Sequence, residues 1–221
     1  MMIAMDDSPL NNSEVQRLVI QASDGDDRAW DRLMSAHRSK LRRMVALRMD
    51  RRLQGRVDPS DVIQEAYIDA ARRLNEYARA PAMPFFLWLR YLTQQRLVEQ
   101  HRRHLGAKGR DAGREISLYR GALPETTTAD LAAHLLGRLS SPSHAAIRAE
   151  QKIKLQEALN SLDPIDREIL ALRHFEQLSN GETAEVLGLD KSTASKRYTR
   201  ALVRLKDVLL ATPGGFQEPS Q

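Results

Sequence analysis

Residues 163–206 read DPIDREILALRHFEQLSNGETAEVLGLDKSTASKRYTRALVRLK, and this stretch decides the fold. Asp163-Pro164 opens a helix: Asp at the cap accepts from orphan backbone N–H groups, and Pro at the first helical position has no N–H to waste. Ser179 and Glu182 have the spacing of a capping box, and Gly188 sits where a helix ends on a left-handed residue. Asp190 caps the helix that follows. The order is short capped helix, tight Gly188-Leu189-Asp190 turn, longer helix: the helix-turn-helix order.

The last helix is two-faced. At about 100° per residue, Ala194, Tyr198, Ala201, Leu202, Leu205, Val208 and Leu209 fall on one stripe, which must pack on the other helices. Ser192, Ser195, Lys196, Thr199, Arg200 and Val203 fall on the opposite side. Lys191 to Lys206 holds six basic residues and no acidic one. Such a face is either a solvated basic surface or a surface that meets DNA. Arg and Lys reach guanine edges or phosphates, and Ser and Thr bond to either. The preceding capped helix and turn favour DNA, with base contacts from the early turns and phosphate contacts from the flanks.

Working outward, the rest of the chain is also helical in period, with no alternating run long enough for a strand. Ser13 with Gln16 predicts a capping box for a helix over 14–22. A second helix is expected from Asp26 or Asp27 to about Asp50, a third from Pro59 to about Tyr77, and a fourth from near Phe85 to about His104. Glycine, proline and Ser/Thr clusters mark residues 105–143 as a linker, with a short helix over 129–136. A helix over 144–159 precedes Asp163-Pro164.

The expected organisation is therefore all-α. An unstructured segment, 1–11, precedes a helical domain, 12–104. A flexible linker, 105–143, leads to a helix-turn-helix domain, 144–212, and a tail, 213–221.

The bulk numbers agree. The 221 residues suit one large or two small domains. The chain is 42% hydrophobic and 29% charged, as soluble globular chains are. A net charge of +5 favours a polyanionic partner. The absence of cysteine excludes disulfides and cysteine-ligated zinc and fits a reducing, cytoplasmic setting. No apolar run is long enough for a membrane span, and residues 1–10 lack the basic start of a secretory signal.

Leu162 to Leu170, Leu178 to Leu189 and Thr193 to Ala201 together resemble the C-terminal promoter-reading domain of bacterial sigma factors of the extracytoplasmic-function (ECF) class. That family carries "Ala-Glu-x-Leu-Gly", then "Thr-Val-Lys-Ser-Arg-x-x-Arg-Ala". This chain has Ala184-Glu185-Val186-Leu187-Gly188, then Thr193-Ala194-Ser195-Lys196-Arg197-Tyr198-Thr199-Arg200-Ala201. It departs at Ala194 and at Ser195-Lys196, so promoter sequence does not transfer. The resemblance implies that Ser192, Thr193, Ser195, Lys196, Arg197, Thr199 and Arg200 meet the duplex promoter element.

In the N-terminal block, Ile63, Ala66, Tyr67, Ala70, Leu74 and Tyr77 line one face of the third helix and are candidate core. The opposite face carries Asp61, Glu65, Ile68 and Arg72, with Gln64 at its edge. Ile68 among charges is either an ordinary exposed residue or the centre of a small protein-docking patch. Asp58-Pro59-Ser60-Asp61-Val62-Ile63-Gln64-Glu65 is similar to the family's "Asp-x-x-Asp-apolar-apolar-Gln-Glu" helix. The resemblance implies that Asp61, Gln64, Glu65 and Ile68, with Arg72 beside them, dock on the clamp of core RNA polymerase. A metal site from Asp58, Asp61 and Glu65 is a rival, weakened because Asp58 serves as a cap.

The fourth helix joins aromatics to a basic end. Trp88, Tyr91, Gln95 and Arg102 share one sector, where aromatics can stack on unpaired bases at about 1–3 kcal/mol each. Phe85 and Phe86 read as core. The resemblance assigns this sector to the melted promoter element, with Gln95 where the family has Asn, and the preceding loop, 78–83, to capture of an extruded base. Arg38 to Arg56 holds eight basic residues against one acid, Asp50; this run is either a solvated face or a phosphate-holding one.

No phosphate loop, nucleophile elbow or metal-ligand cluster is present. The expectation is a protein that is no enzyme and needs no cofactor or metal. Its implied partners are core RNA polymerase and promoter DNA. An anti-sigma factor is admitted as a third; a membrane or small-molecule substrate is not. The rival readings are a stand-alone helix-turn-helix regulator and a serine recombinase, the latter needing a strand-rich catalytic domain.

Overall fold

The computed structural model describes residues 10–50, 52, 53, 55–105, 128, 131–133, 135 and 145–210. All regular structure among them is helical, as expected; no strand occurs there, so none of the described residues supplies the catalytic sheet that a serine recombinase needs. The chain divides into two compact units, Met1–Gly106 and Ala107–Gln221.

The first unit holds α1 (Asn12–Ser23), α2 (Asp27–Arg48), α3 (Pro59–Arg79) and α4 (Phe85–Leu105). The cap of α1 differs from the expected Ser13–Gln16 pair. Asn11 is the cap: its side chain accepts from Glu14 N, and Glu14 returns a bond to Asn11 N at 3.1 Å. Asn caps as well as Ser, and Asn11 has Glu at the third helical position, where Ser13 has only Gln16. Ser13 instead donates to Asn11 Oδ1 at 2.6 Å. Asp26 caps α2 and Asp58 caps α3, with Pro59 in the first turn.

α3 packs on α2 and α4, and α1 on α2 and α3. Leu33, Leu41, Met44 and Leu47 of α2 meet Val62, Ala66 and Ala70 of α3 and Leu89 and Leu92 of α4 in the core, all with no exposed surface. Burying one such leucine contributes about 1.5–3 kcal/mol. Ile63 and Leu74 are buried as predicted, while Tyr67 and Tyr77 are half-buried. Tyr67 donates to Met34 O at 3.0 Å, and burial pushes its hydroxyl up to about 12.

In the second unit, α5 is Ala145–Ser161 and α6 is Pro164–Leu170. A π-helical segment, Ala171–Phe175, continues α6. Then come α7 (Asn180–Leu187) and α8 (Lys191–Leu210). Asp163 caps α6, the Ser179–Glu182 box opens α7, and Gly188 ends it at φ 64, a backbone that glycine adopts without penalty. Asp190 accepts from Thr193 N at 2.8 Å. α8 packs against α5, α6 and α7. Ala194, Ala201 and Leu205 are buried, Tyr198 and Leu202 half-buried, and Val203 exposed; the side chains of Val208 and Leu209 lie outside the described set.

Of the expected short helix over 129–136, Leu131, Ala132, Ala133 and Leu135 are helical, and all but Ala133 are buried; the remaining residues lie outside the described set. So do residues 1–9, 211–221 and most of the expected linker.

Candidate functional site

The outer face of α3 carries five candidate residues. Asp61, Gln64 and Arg72 are exposed, and Ile68 keeps 51% of its surface, one of few large apolar side chains left to solvent. Their three- and four-residue spacing puts them on one side, and Asp58 and Pro59 start the helix in the register that turns Ile63, Ala66 and Ala70 inward. Glu65 is half-buried because α4 reaches it: Gln100 donates from Nε2 to Glu65 Oε1 at 2.9 Å. One turn on, Arg96 of α4 is ion-paired with buried Asp69 and also bonds Glu99 Oε2 at 2.7 Å. The Arg96 hydrogen bond holds the Asp69 carboxyl below its ordinary value. This surface is therefore a strip with an apolar residue between charges, tied to α4 through Glu65.

Among the described residues there is no group of three or more His, Cys, Asp or Glu arranged for a metal. Asp58 is occupied as a cap, accepting from Ser60 N at 2.7 Å, a bond that lowers its pKa.

The aromatic sector of α4 is more mixed. Phe85 and Phe86 are buried, against His37. Trp88 is half-buried with its ring stacked on Tyr77, centroids 4.5 Å apart. One ring face is thus already engaged by the protein. Tyr91 accepts from Gln95 Nε2 at 2.7 Å, while Gln95 and Arg102 are exposed. The loop before α4 is shorter than expected, since α3 runs through Ala78 and Arg79; Tyr77 OH donates to Met83 O at 2.8 Å and closes it.

The basic run over the second half of α2 and the turn that follows is not one solvated face. Arg38, Arg42, Arg52 and Arg56 are exposed, but Arg48 is 8% exposed, and Lys40 Nζ sits 4.8 Å above the Phe86 ring. Arg48 occupies the last turn of α2, where a cation suits the helix dipole. Arg52 bonds Asp50 Oδ2 at 2.7 Å and holds that carboxyl low. Arg51 lies outside the described residues.

On α8, Ser192, Ser195, Lys196, Thr199 and Arg200 are exposed as a continuous outer strip. Asn180 Nδ2 donates to Lys191 O at 2.8 Å and fixes the angle at which α8 leaves the turn. Thr193 is half-buried at the cap. Arg197 is half-buried too, and it is not free. Asp166 of α6, almost wholly buried, takes Arg197 Nη1 at 2.6 Å and Arg200 Nη2 at 2.9 Å. Asp163 lies 3.4 Å from Arg197. Sequence reading missed both Asp166 and Gln100: each acts across more than 30 residues of chain, and no local pattern marks such a pairing.

Comparison with known proteins places these faces in context. A family model described as ECF sigma factor matches residues 12–209. RNA polymerase sigma-H factor of Pseudomonas aeruginosa is 28% identical over 196 residues, 87% of this chain and 92% of that protein. ECF RNA polymerase sigma factor SigD of Mycobacterium bovis is 28% identical over 212 residues, 95% of this chain and 92% of that protein. A solved structure of CnrH in complex with the cytosolic domain of CnrY aligns at TM-score 0.51 and 20% identity, covering 90% of this chain and 99% of that one; this likeness bears on the fold.

Proposed function

The chain belongs to the ECF sigma factor family, so it binds core RNA polymerase and directs promoter-specific transcription initiation, and from that premise we propose which surfaces carry each task. The outer strip of α3, Asp61, Gln64, Glu65, Ile68 and Arg72, docks on the polymerase. The observation that carries this is Ile68: an exposed branched apolar residue, ringed by charges on a helix whose other face is core, suits a small interface centre.

The outer strip of α8 enters the major groove of the duplex element. Ser192, Thr193, Ser195, Lys196 and Thr199 meet bases and backbone there, and Arg197 and Arg200 complete the surface. The α4 sector, Trp88, Tyr91, Gln95 and Arg102, holds the opened strands. Tyr91 and Gln95 present the polar edge, and Trp88 adds the part of its ring that Tyr77 and Phe85 leave accessible. The protein contributes binding and orientation and no catalysis of its own. It works where the polymerase is, in the cytoplasm; no helix among the described residues is long and apolar enough to cross a membrane. CnrH is seen with a protein partner, which supports an anti-sigma factor as a partner here too.

A stand-alone helix-turn-helix regulator would leave the α3 strip without a role. Pull-down of core polymerase tests the assignment. The native chain should retain the polymerase, and Glu65→Lys with Ile68→Glu should lose it. Retention by the double variant removes α3 as the docking face.

A further inference from the structure

We propose that Asp166 sets how well α8 discriminates among DNA sequences, by holding Arg197 and Arg200 in the protein so that neither is a loose cation for any phosphate. The inference rests on α8 being the duplex-reading helix.

The geometry is unusual for a surface expected to meet DNA. One carboxylate with 7% of its side chain exposed accepts from two arginines one helical turn apart on α8. Arg197 Nη1 is 2.6 Å from Asp166 Oδ1, and Arg200 Nη2 is 2.9 Å from Oδ2 and 3.2 Å from Oδ1. Asp166 comes from α6, so the bond crosses from the supporting helix to the reading helix. The two arginines differ in access: Arg197 has 27% of its side chain exposed and is braced again by Asp163, whereas Arg200 has 63% exposed. Arg197 is therefore fixed in place, and Arg200 is the one that DNA can reach.

The consequence follows from how non-specific binding works. It is almost wholly electrostatic and comes from mobile Lys and Arg side chains displacing counterions from the phosphates. An arginine already bonded to a nearly buried carboxylate must give up a charge-assisted bond to contribute. On a random duplex, little is regained. On the correct element, the other α8 contacts hold the helix in register, and Arg200 meets a phosphate or base edge set opposite it. Lys196, with no such carboxylate partner in the described structure, supplies the general attraction. Asp166 is thus a positioning residue: it touches no DNA and acts through the two guanidinium groups.

The test uses the full chain with two probes: a short random-sequence duplex, and duplexes that the native protein enriches from a random pool. Asp166→Asn releases Arg200, while Asp163 still braces Arg197. It should bind the random duplex about threefold to tenfold more tightly, with the log K against log salt slope steeper by about 0.9, one additional phosphate contact. Discrimination between the two probes should fall. Adding Arg200→Ala to Asp166→Asn should return the slope to the native value. An unchanged slope and unchanged random-duplex affinity in Asp166→Asn overturns the proposal, as does weakened binding of both probes in proportion to a lowered melting temperature. Should Asp166→Asn not fold, Arg200→Ala alone decides. It should weaken the enriched duplex and leave the random-duplex slope native; a flatter random-duplex slope overturns the proposal. Lys196→Ala separates the two levels. If it leaves binding to both probes unchanged, α8 is not the reading helix; if it weakens binding while Asp166→Asn does nothing, only the role of Asp166 fails.

Discussion

Gln100 donates to Glu65 across the α3–α4 interface at 2.9 Å, so a side chain on the candidate polymerase-docking strip is held by the same helix that carries the aromatic sector. Gln100 is 7% exposed, and its bond fixes one rotamer of a half-buried Glu65. The candidate docking face and the candidate strand-holding helix are therefore one packed piece, with Arg96 and Asp69 making a second tie one turn along.

That tie predicts a graded response at Gln100. Gln100→Leu keeps much of the volume but removes the donor, and should lower stability by about 1–2 kcal/mol. With Glu65 loosened, affinity for core polymerase should fall a few-fold. Gln100→Glu sets two carboxylates together and should lower affinity further. Urea unfolding and competition binding to fluorescently labelled polymerase measure both effects. Equal polymerase affinity in all three proteins would detach Gln100 from docking.

The outer strip of α8 makes a separable prediction. Lys196→Ala should weaken promoter duplex binding and reduce the salt slope by about 1, a lost phosphate contact. Arg200→Ala should weaken the same duplex, and neither variant should alter retention of core polymerase. Gel-shift titrations across salt, alongside the pull-down, read both. If promoter affinity stays native in both variants, the outer strip of α8 is the wrong reading face.

The sequence was legible wherever the signal was local. Asp58-Pro59, the Ser179–Glu182 box and Gly188 are read within four residues, and each marks the helix end predicted for it. The outward set Asp61, Gln64, Ile68 and Arg72 follows from helical spacing alone, since Ile63, Ala66 and Ala70 must face inward. What stayed hidden was tertiary. Asp166 reads as a first-turn acid, yet it takes two arginines from a helix 31 and 34 residues away. Arg48 reads as one more surface cation, yet packing covers it. Trp88 reads as an aromatic offered to bases, yet Tyr77 takes one of its faces. The α1 cap differs from the expected one for another reason: Asn11 and Ser13 are both good caps, and Glu14 decides between them through a pairing that only Asn11 can complete.

Gln177 is the one residue other than glycine with positive φ among the described residues, at 60°. It ends the α6–π segment at the turn into α7, and a left-handed backbone costs an L-residue about 1–2 kcal/mol. Gln177→Gly relieves that strain but gives the unfolded chain more freedom, so the net gain should be about 0.5–1 kcal/mol. The urea midpoint followed by circular dichroism should rise with an unchanged slope. A lowered midpoint would show that side-chain contacts of Gln177 outweigh its backbone strain.

Stability of the first unit should fall on mild acidification, through His101. Its Nε2 accepts from the backbone N–H of Asp50 at 3.3 Å, which requires the neutral ring with its proton on Nδ1. Burial lowers its pKa below the ordinary 6.5, because the half-buried site disfavours the charged form; the Asp50 carboxylate opposes this, and Arg52 adds to it. The sign follows from which state binds the proton. Below about pH 6.5 the unfolded chain takes up a proton that the folded unit resists, so unfolding gains. The contribution of His101 is complete above pH 6.5 and declines as pH falls from there to the folded value. Both tryptophans, Trp30 and Trp88, lie in this unit, so their fluorescence reports its unfolding alone. The urea midpoint of the native chain should drop from pH 7.5 to about pH 5.5, where most carboxylates are still ionised. His101→Gln keeps an acceptor for Asp50 but cannot titrate, and its midpoint should stay flatter across the same window. Parallel curves for the two proteins would place the acid sensitivity in a group other than His101.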